Sequence, residues 1–402
     1  MANNSKGNER KEMIRQALTA ANLDGLVCST PANVLMLSGY WPVVGTGVAL
    51  FNQEGQCLVL APPGEEDLAR NGWADDILCF EPGSLSALTN AQKALPEPLQ
   101  KALKQLNLEK GRIGYEGWAW YEPASYSSMH FYGEALAALL KESANGATLV
   151  SAMDVIEQLK ARLSHSELEI LNAACEVAGM AFETGKQQLK TGLKESEIAA
   201  NFRTPFSTKG IGYKGAGRAD GFVYCMSGPN SAQAGKAFAF TSDRQVSNGD
   251  LVLVHCNSYL DGFWTDITRT FCLGKPSERQ QEMYSAIFAA REAALKTIKP
   301  GVTGREVDKA ARDILKERGF EKYFTHGVGH GVGFGAINHD ALPRIHPASD
   351  DRLEVGMVFN VEPSIYIEGF GGMRHCDVIT VTDNGAKVLT DFLSQVEQVI
   401  LS

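Results

Sequence analysis

One stretch constrains this chain more than any other: VHCNSYLDGFWTDITRTF, residues 254–271. It reads as two strands folded back on each other, with Asp261 and Gly262 supplying turn residues between them. His255 stands beside Cys256 in a largely apolar first strand, and Asp266 follows in the second. An all-apolar strand would pack better, so these polar residues belong either to a satisfied core or to a site. Two registers are open. A Leu260-Asp261 turn sets His255 opposite Asp266. An Asp261-Gly262 turn sets His255 opposite Thr268 and Asp266 opposite Asn257. In either register the two-residue pleat puts His255 and Asp266 on one face.

The surrounding pattern supplies partners for that hairpin. FVYCMSGP, MVFNVEPSIYI and GGMRHCDVITVT also read as strands, and helices are predicted over 278–297 and 304–318. Strands in runs, with helices apart from them, predict an α+β domain on a mostly antiparallel sheet. Upstream, RKEMIRQALTAANLDG has helical spacing and a stop signal, LVCST and GVALFN…CLVLAP read as strands, and RIGYEG begins a further βα step. This is an α/β domain reaching to about residue 150. A long, charge-rich helical stretch follows, in which Ser164 and Glu167 have capping-box spacing. The chain of 402 residues exceeds one ordinary core. The expected domains are therefore 1–150 and 151–402.

Composition excludes several classes. Hydrophobic residues make up 44% and charged residues 21%, as in ordinary soluble proteins. The net charge is −9 with no basic cluster, so no nucleic-acid partner is expected. No apolar run approaches the ~20 residues of a membrane helix, and MANNSKGNERKEM lacks the apolar core of a signal peptide. The eight cysteines are scattered without a CxxC pair, which fits reduced thiols and a cytoplasmic protein.

Six of the eight histidines fall between 255 and 375. THGVGHGVGFGAINHDALP sets His326, His330 and His339 among glycines, which let a backbone approach another group closely. Glu362 shares a strand face with Asn360 and Val358, while Met357, Phe359 and Val361 on the other face are apolar; a carboxylate there is costly to bury without a partner. The last strand offers Arg374, His375, Cys376 and Asp377. His375 alternates with Cys376 and points away from whatever Cys376 faces, and His346 after LPRI reads as surface. Each residue alone has a plain structural reading: a satisfied core histidine, a small buried cysteine, a glutamate paired with arginine. Together, imidazole, carboxylate and thiol recurring on successive strands are the side chains that bind transition metals.

The order of GFWTDITRTF, HGVGHGVG with a following HD, VEPSIYI and GGMRHCDVITVTDNG resembles the pita-bread superfamily of aminopeptidase P, prolidase, methionine aminopeptidase and creatinase. Residues 1–150 look like the smaller N-terminal domain shared by prolidase, aminopeptidase P and creatinase. The resemblance implies an α+β pita-bread catalytic domain after a smaller α/β domain. It also implies a hydrolase of the Xaa-Pro peptidase/creatinase-like class, acting on a C–N bond in a short peptide or small molecule, and a homodimer.

Peptidases of that family hold two metals with Asp, Asp, His, Glu and Glu in chain order. By position the second ligand falls on Asp266, the third on His330 and the fourth on Glu362. The first falls on His255 and the fifth on Cys376, so two ligand positions have changed identity. The family's substrate-facing histidine would fall near Gly235 and is missing. His326 and His339 match further active-site histidines, though two extra residues precede His339. Losing a bridging Glu to Cys disfavours a metal pair. The resemblance therefore implies one divalent ion on Asp266, His330, Glu362, Cys376 and His255, with zinc favoured and iron, manganese or cobalt as alternatives. His326 and His339 would position substrate and move protons, and Arg374 would anchor a carboxylate or the ligands. Creatinase keeps the fold without metal and has REHD against RHCD here, so a metal-free reading with a histidine base and Glu362 stays open. So do a Cys376 nucleophile and a non-catalytic binding protein.

Overall fold

Asp261 and Gly262 both take positive φ, 47° and 89°, as the primed two-residue turns require. The hairpin therefore closes in the second register, with His255 opposite Thr268 and Asn257 opposite Asp266. The computed structural model describes residues 7–43, 47–81, 83, 85, 90–117, 119–120, 131–132, 134–144, 146–236, 240–335 and 338–401. The chain divides into a unit of Met1–Lys160 with Ser164–Ser166 and a unit of Ala161–Leu163 with Glu167–Ser402.

The first unit is built on a mixed six-stranded sheet. Its strands are β1 (Gly25–Cys28), β2 (Val48–Asn52), β3 (Cys57–Ala61), β4 (Asp76–Cys79), β5 (Arg112–Tyr115) and β6 (Thr148–Ser151), in the order β4-β3-β2-β1-β5-β6. Because β6 pairs in parallel with β5, this unit runs past residue 150. Strands β1, β2 and β3 are buried throughout, which is why they read as continuous apolar runs. Helix α1 (Asn8–Ala20) precedes β1; helix α2 (Pro31–Ser38) follows it, with proline in its first turn and Gly39 in the left-handed conformation at its end. The fully buried Glu116 accepts from the backbone amides of Ser29 and Thr30 and from the side chains of Ser29, Thr30 and Asn33. A carboxylate at the N-terminus of α2 meets both the unpaired amides and the helix dipole.

In the second unit β7 (Ala219–Ser227), β8 (Leu251–Leu260) and β9 (Phe263–Leu273) form an antiparallel meander, extended by β15 (Ile400–Leu401) in the order β15-β9-β8-β7. Strands β10 (Val358–Val361), β13 (Asp377–Thr382) and β14 (Gly385–Val388) form a second antiparallel group, and β11 (Ser364–Ile367) pairs with β12 (Gly371–Arg374). A bridge between Thr268 and Cys376 joins the two regions. Helices α3 (His165–Gln188) and α4 (Glu195–Gly210) contribute Phe182 and Phe202, whose rings meet edge-on at 5.4 Å, with Phe271 of β9 5.7 Å from Phe202. Helices α5 (Glu278–Thr297) and α6 (Gly304–Glu317) pack on each other, and each starts with a reciprocal capping box, Ser277 with Gln280 and Thr303 with Glu306.

Candidate hydrolytic site

Asp266 is the hub of the polar cluster. It is 4% exposed. Its Oδ1 lies 3.7 Å from His255 Nδ1 and 3.6 Å from Cys376 Sγ, and its Oδ2 lies 3.6 Å from His330 Nε2. Burial pushes this carboxyl up to about 6, against the pull of Arg374 and of hydrogen bonds from Cys376 and Asn257. The residues come from the β8–β9 hairpin, the glycine-rich loop and the segment after β12, so three separate parts of the sequence converge here.

The neighbours are held by specific contacts. Thr268 Oγ1 accepts from Arg374 Nε at 3.0 Å and lies 3.0 Å from His255 Nδ1. His330 Nδ1 is 3.0 Å from the Gly331 carbonyl, which can only accept, so the Nδ1 proton is there and Nε2 presents a lone pair. That Nε2 lies 3.3 Å from Asn360 Nδ2, while Asn360 Oδ1 accepts from the His330 amide at 2.7 Å. The loop reaches Asn360 because residue 329 is glycine: a Cβ there would strike the Asn360 carbonyl. His326 follows the same logic, with Nδ1 on the Gly327 carbonyl and Nε2 2.9 Å from Ser364 Oγ and 3.2 Å from the Tyr366 hydroxyl. Burial, with Arg374 and neighbouring histidines adding to it, lowers His326 and His330 to about 3 and His255 well below the usual imidazole range. All three are neutral imidazoles at pH 7. His339 is exposed, and its ring centroid lies 4.9 Å from that of His330.

Glu362 is 7% exposed and 3.6 Å from Arg374 Nη1. Burial raises it to about 8; Arg374 opposes this and Asp266 adds to it. Arg374 is 5% exposed, and its Nη2 has no hydrogen-bond partner among the described residues. Cys376 is fully buried. Its thiol donates to the Asp266 carbonyl at 3.2 Å, and burial together with Asp266 and Glu362 pushes it well up. That is the reverse of what a nucleophilic thiol needs. His375 turns the other way, to Asp377 at 3.2 Å and the Phe288 ring, and His346 is exposed.

Sequence reasoning did not assign roles to Thr268, Asn360, Tyr366 and Arg269. Thr268 was visible opposite His255 under one register, and Asn360 as a residue on the strand face of Glu362. Arg269 is fully buried, and its guanidinium donates to the carbonyls of Thr268, Cys376, Thr390 and Phe392 and to Asp377. It pins the backbone under the site, and only its TRTF context hinted at that.

An α+β unit with imidazoles and carboxylates gathered on successive strands, preceded by a smaller α/β unit, defines the pita-bread hydrolase class. Residues 169–383 match the model for metallopeptidase family M24, and residues 10–162 match that for the creatinase/prolidase N-terminal domain. The chain is 31% identical over 382 residues to the Xaa-Pro dipeptidase of Pyrococcus furiosus, covering 95% of this chain and 97% of the relative. Its fold matches the prolidase from Pyrococcus horikoshii OT3 with a TM-score of 0.76 at 29% identity, over 97% of this chain and 100% of that one. An Xaa-Pro dipeptidase from Bacillus anthracis gives 0.78 at 27% identity, over 98% and 99%. This chain belongs to metallopeptidase family M24, in its creatinase/prolidase branch, and so to the hydrolases of C–N bonds.

A metallopeptidase family implies a divalent metal ion. Among the described residues no three His, Cys, Asp or Glu side chains are arranged to hold one together. The contacts account for this: the Cys376 thiol donates to the Asp266 backbone carbonyl, His255 Nδ1 lies against Thr268, and Glu362 faces Arg374. By donor chemistry, two imidazoles, two carboxylates and a thiol suit a divalent ion of borderline softness.

Proposed function

We propose that this protein hydrolyses the C–N bond of a short peptide with a free carboxylate, Xaa-Pro dipeptides first among them, and that it uses one divalent ion. The observation that carries the reading is the convergence of His255, His330 and Cys376 on Asp266 at 3.6–3.7 Å, beside the buried, incompletely bonded Arg374. The names of the relatives, Xaa-Pro dipeptidase and prolidase, support the substrate class. Asp266, His330, Glu362 and Cys376, with His255, would hold the ion, zinc before iron, manganese or cobalt. Such an ion supplies Lewis acidity and a bound water acidic enough to ionise near neutral pH.

The chain's own groups do the rest. Arg374 Nη2 receives the substrate carboxylate, since a buried guanidinium donor without a partner is best satisfied by an anionic oxygen. His326, locked by Gly327, Ser364 and Tyr366, and His339 at the exposed edge position substrate and move protons. With all eight cysteines unpaired, a cytoplasmic location fits; among the described residues no helix is long and apolar enough to cross a membrane.

A second, metal-free reading is favoured by one observation: among the described residues no three His, Cys, Asp or Glu side chains are grouped so as to hold an ion. There His330 or another histidine is the base, and Glu362 orients it or the substrate. A panel of Ala-Pro, Gly-Pro, the corresponding dipeptide amides and creatine tests the substrate class. The expected result is hydrolysis of free-acid dipeptides over their amides. Arg374→Met should raise KM for the free acid by roughly 10–100-fold, the loss of a charged hydrogen bond, and abolish the preference over the amide. Cleavage of creatine alone would overturn the peptide reading.

A further inference from the structure

The face of the sheet that carries His255 and Asp266 also carries half-exposed aromatic rings. Strand β7 alternates: Ala219, Gly221, Val223 and Cys225 are buried, while Asp220, Phe222 and Tyr224 are half-exposed. The register sets Tyr224 opposite His255 and Phe222 opposite Asn257, which in turn opposes Asp266; Tyr259 opposes Trp264. Phe222, Tyr224, Tyr259 and Trp264 therefore share the site's face, and all four are half-exposed. The Phe222 and Trp264 rings are parallel within 5° at 6.1 Å between centroids, and Tyr259 meets Trp264 at 4.7 Å. Tyr224 lies against His255 at 6.4 Å and 17°. At the far end the Arg203 guanidinium sits 5.9 Å over Phe222 and pairs with Asp220.

The order along β9 gives this strip a direction. Thr268 and Thr270 contact Arg374; Asp266 comes next, and Trp264 lies beyond it, about 7 Å further along the same face. A peptide held by its carboxylate at Arg374 and centred on Asp266 extends its N-terminal residue over the rings.

We propose that Phe222, Tyr259 and Trp264, joined to the site by Tyr224, form a subsite for an aromatic side chain on the residue N-terminal to the scissile bond. This rests on the peptidase reading above. Parallel and tilted rings with their faces part-open favour a flat apolar group over an aliphatic one. The Arg203–Asp220 pair closes the strip with a neutralised end, so it offers little to a charged side chain.

The test compares Phe-Pro with Ala-Pro, by turnover and by calorimetric binding, in the wild-type protein, Trp264→Leu and Phe222→Leu, with thermal melting to show that each variant is folded. The wild type should favour Phe-Pro in kcat/KM by about tenfold or more. That ratio should fall towards one in Trp264→Leu and part-way in Phe222→Leu. A wild-type ratio near one, or a ratio that survives in both folded variants, overturns the subsite while leaving the peptidase reading intact. If neither dipeptide is cleaved, the peptidase reading fails and binding decides. Tighter Phe-Pro than Ala-Pro in the wild type, lost in the variants, still supports the subsite; equal affinities or no binding overturn it. If Trp264→Leu does not fold, Phe222→Leu decides alone.

Discussion

By the resemblance, His255 and Cys376 stand where the family's peptidases carry carboxylate ligands, and both are buried in contact with Asp266. Sequence parity placed His255 and Asp266 on one face before any coordinates did, because both two-residue turns considered keep them in step with the pleat. It left the register open, since Leu260-Asp261 and Asp261-Gly262 are both plausible turns; the positive φ of both central residues decided it. Arg269 was not legible, because a buried arginine bonded chiefly to carbonyls has no side-chain pattern to betray it. Its partner Asp377, which also meets Arg291 at 2.5 Å, gives a prediction at this scale. Asp377→Asn leaves two buried guanidinium groups short of an anion, a loss of about 3–5 kcal/mol. Urea unfolding should show it as a lower midpoint; a change within experimental error would mean that the pair contributes little.

Strands and helices were the most readable elements, since alternation and capping boxes are local. The helices at Glu278–Thr297 and Gly304–Glu317 carry their start signals in Ser277 and Thr303. The connections were not readable. The Ser227–Asn230 turn is held by Glu195 at the start of α4, a fully buried carboxylate that accepts from the amides of Ser227 and Ser242 and from the side chains of Ser227, Asn230 and Ser242. Nothing local links residue 195 to residue 230. Glu195→Gln introduces an amide donor among groups that themselves donate, so it should cost about 1–3 kcal/mol. Hydrogen exchange should quicken at Ser227 and Ser242; unchanged protection at both amides would contradict this assignment. The glycine-rich loop was legible as a ligand loop, but its stitching to Asn360 depends on a close approach at Gly329 that sequence marks only by the missing side chain.

At the scale of the whole molecule, the family assignment followed from the order of several motifs, which the fold and the matched regions support. The changed donors were equally legible; their consequence was not, because metal stoichiometry depends on where donor atoms point. We propose a homodimer, as the resemblance implies. Sedimentation at micromolar concentration should give twice the 43.5 kDa chain mass, and a monomer alone would contradict it. The central claim is that the altered set holds one ion in place of the family's two. The most direct test is elemental analysis of protein equilibrated with zinc, manganese, iron or cobalt, beside Cys376→Ser treated identically. The account predicts about one ion per chain, with affinity sharply reduced in Cys376→Ser because the softest ligand is gone. Two ions per chain, or none with any of the four metals, would contradict it.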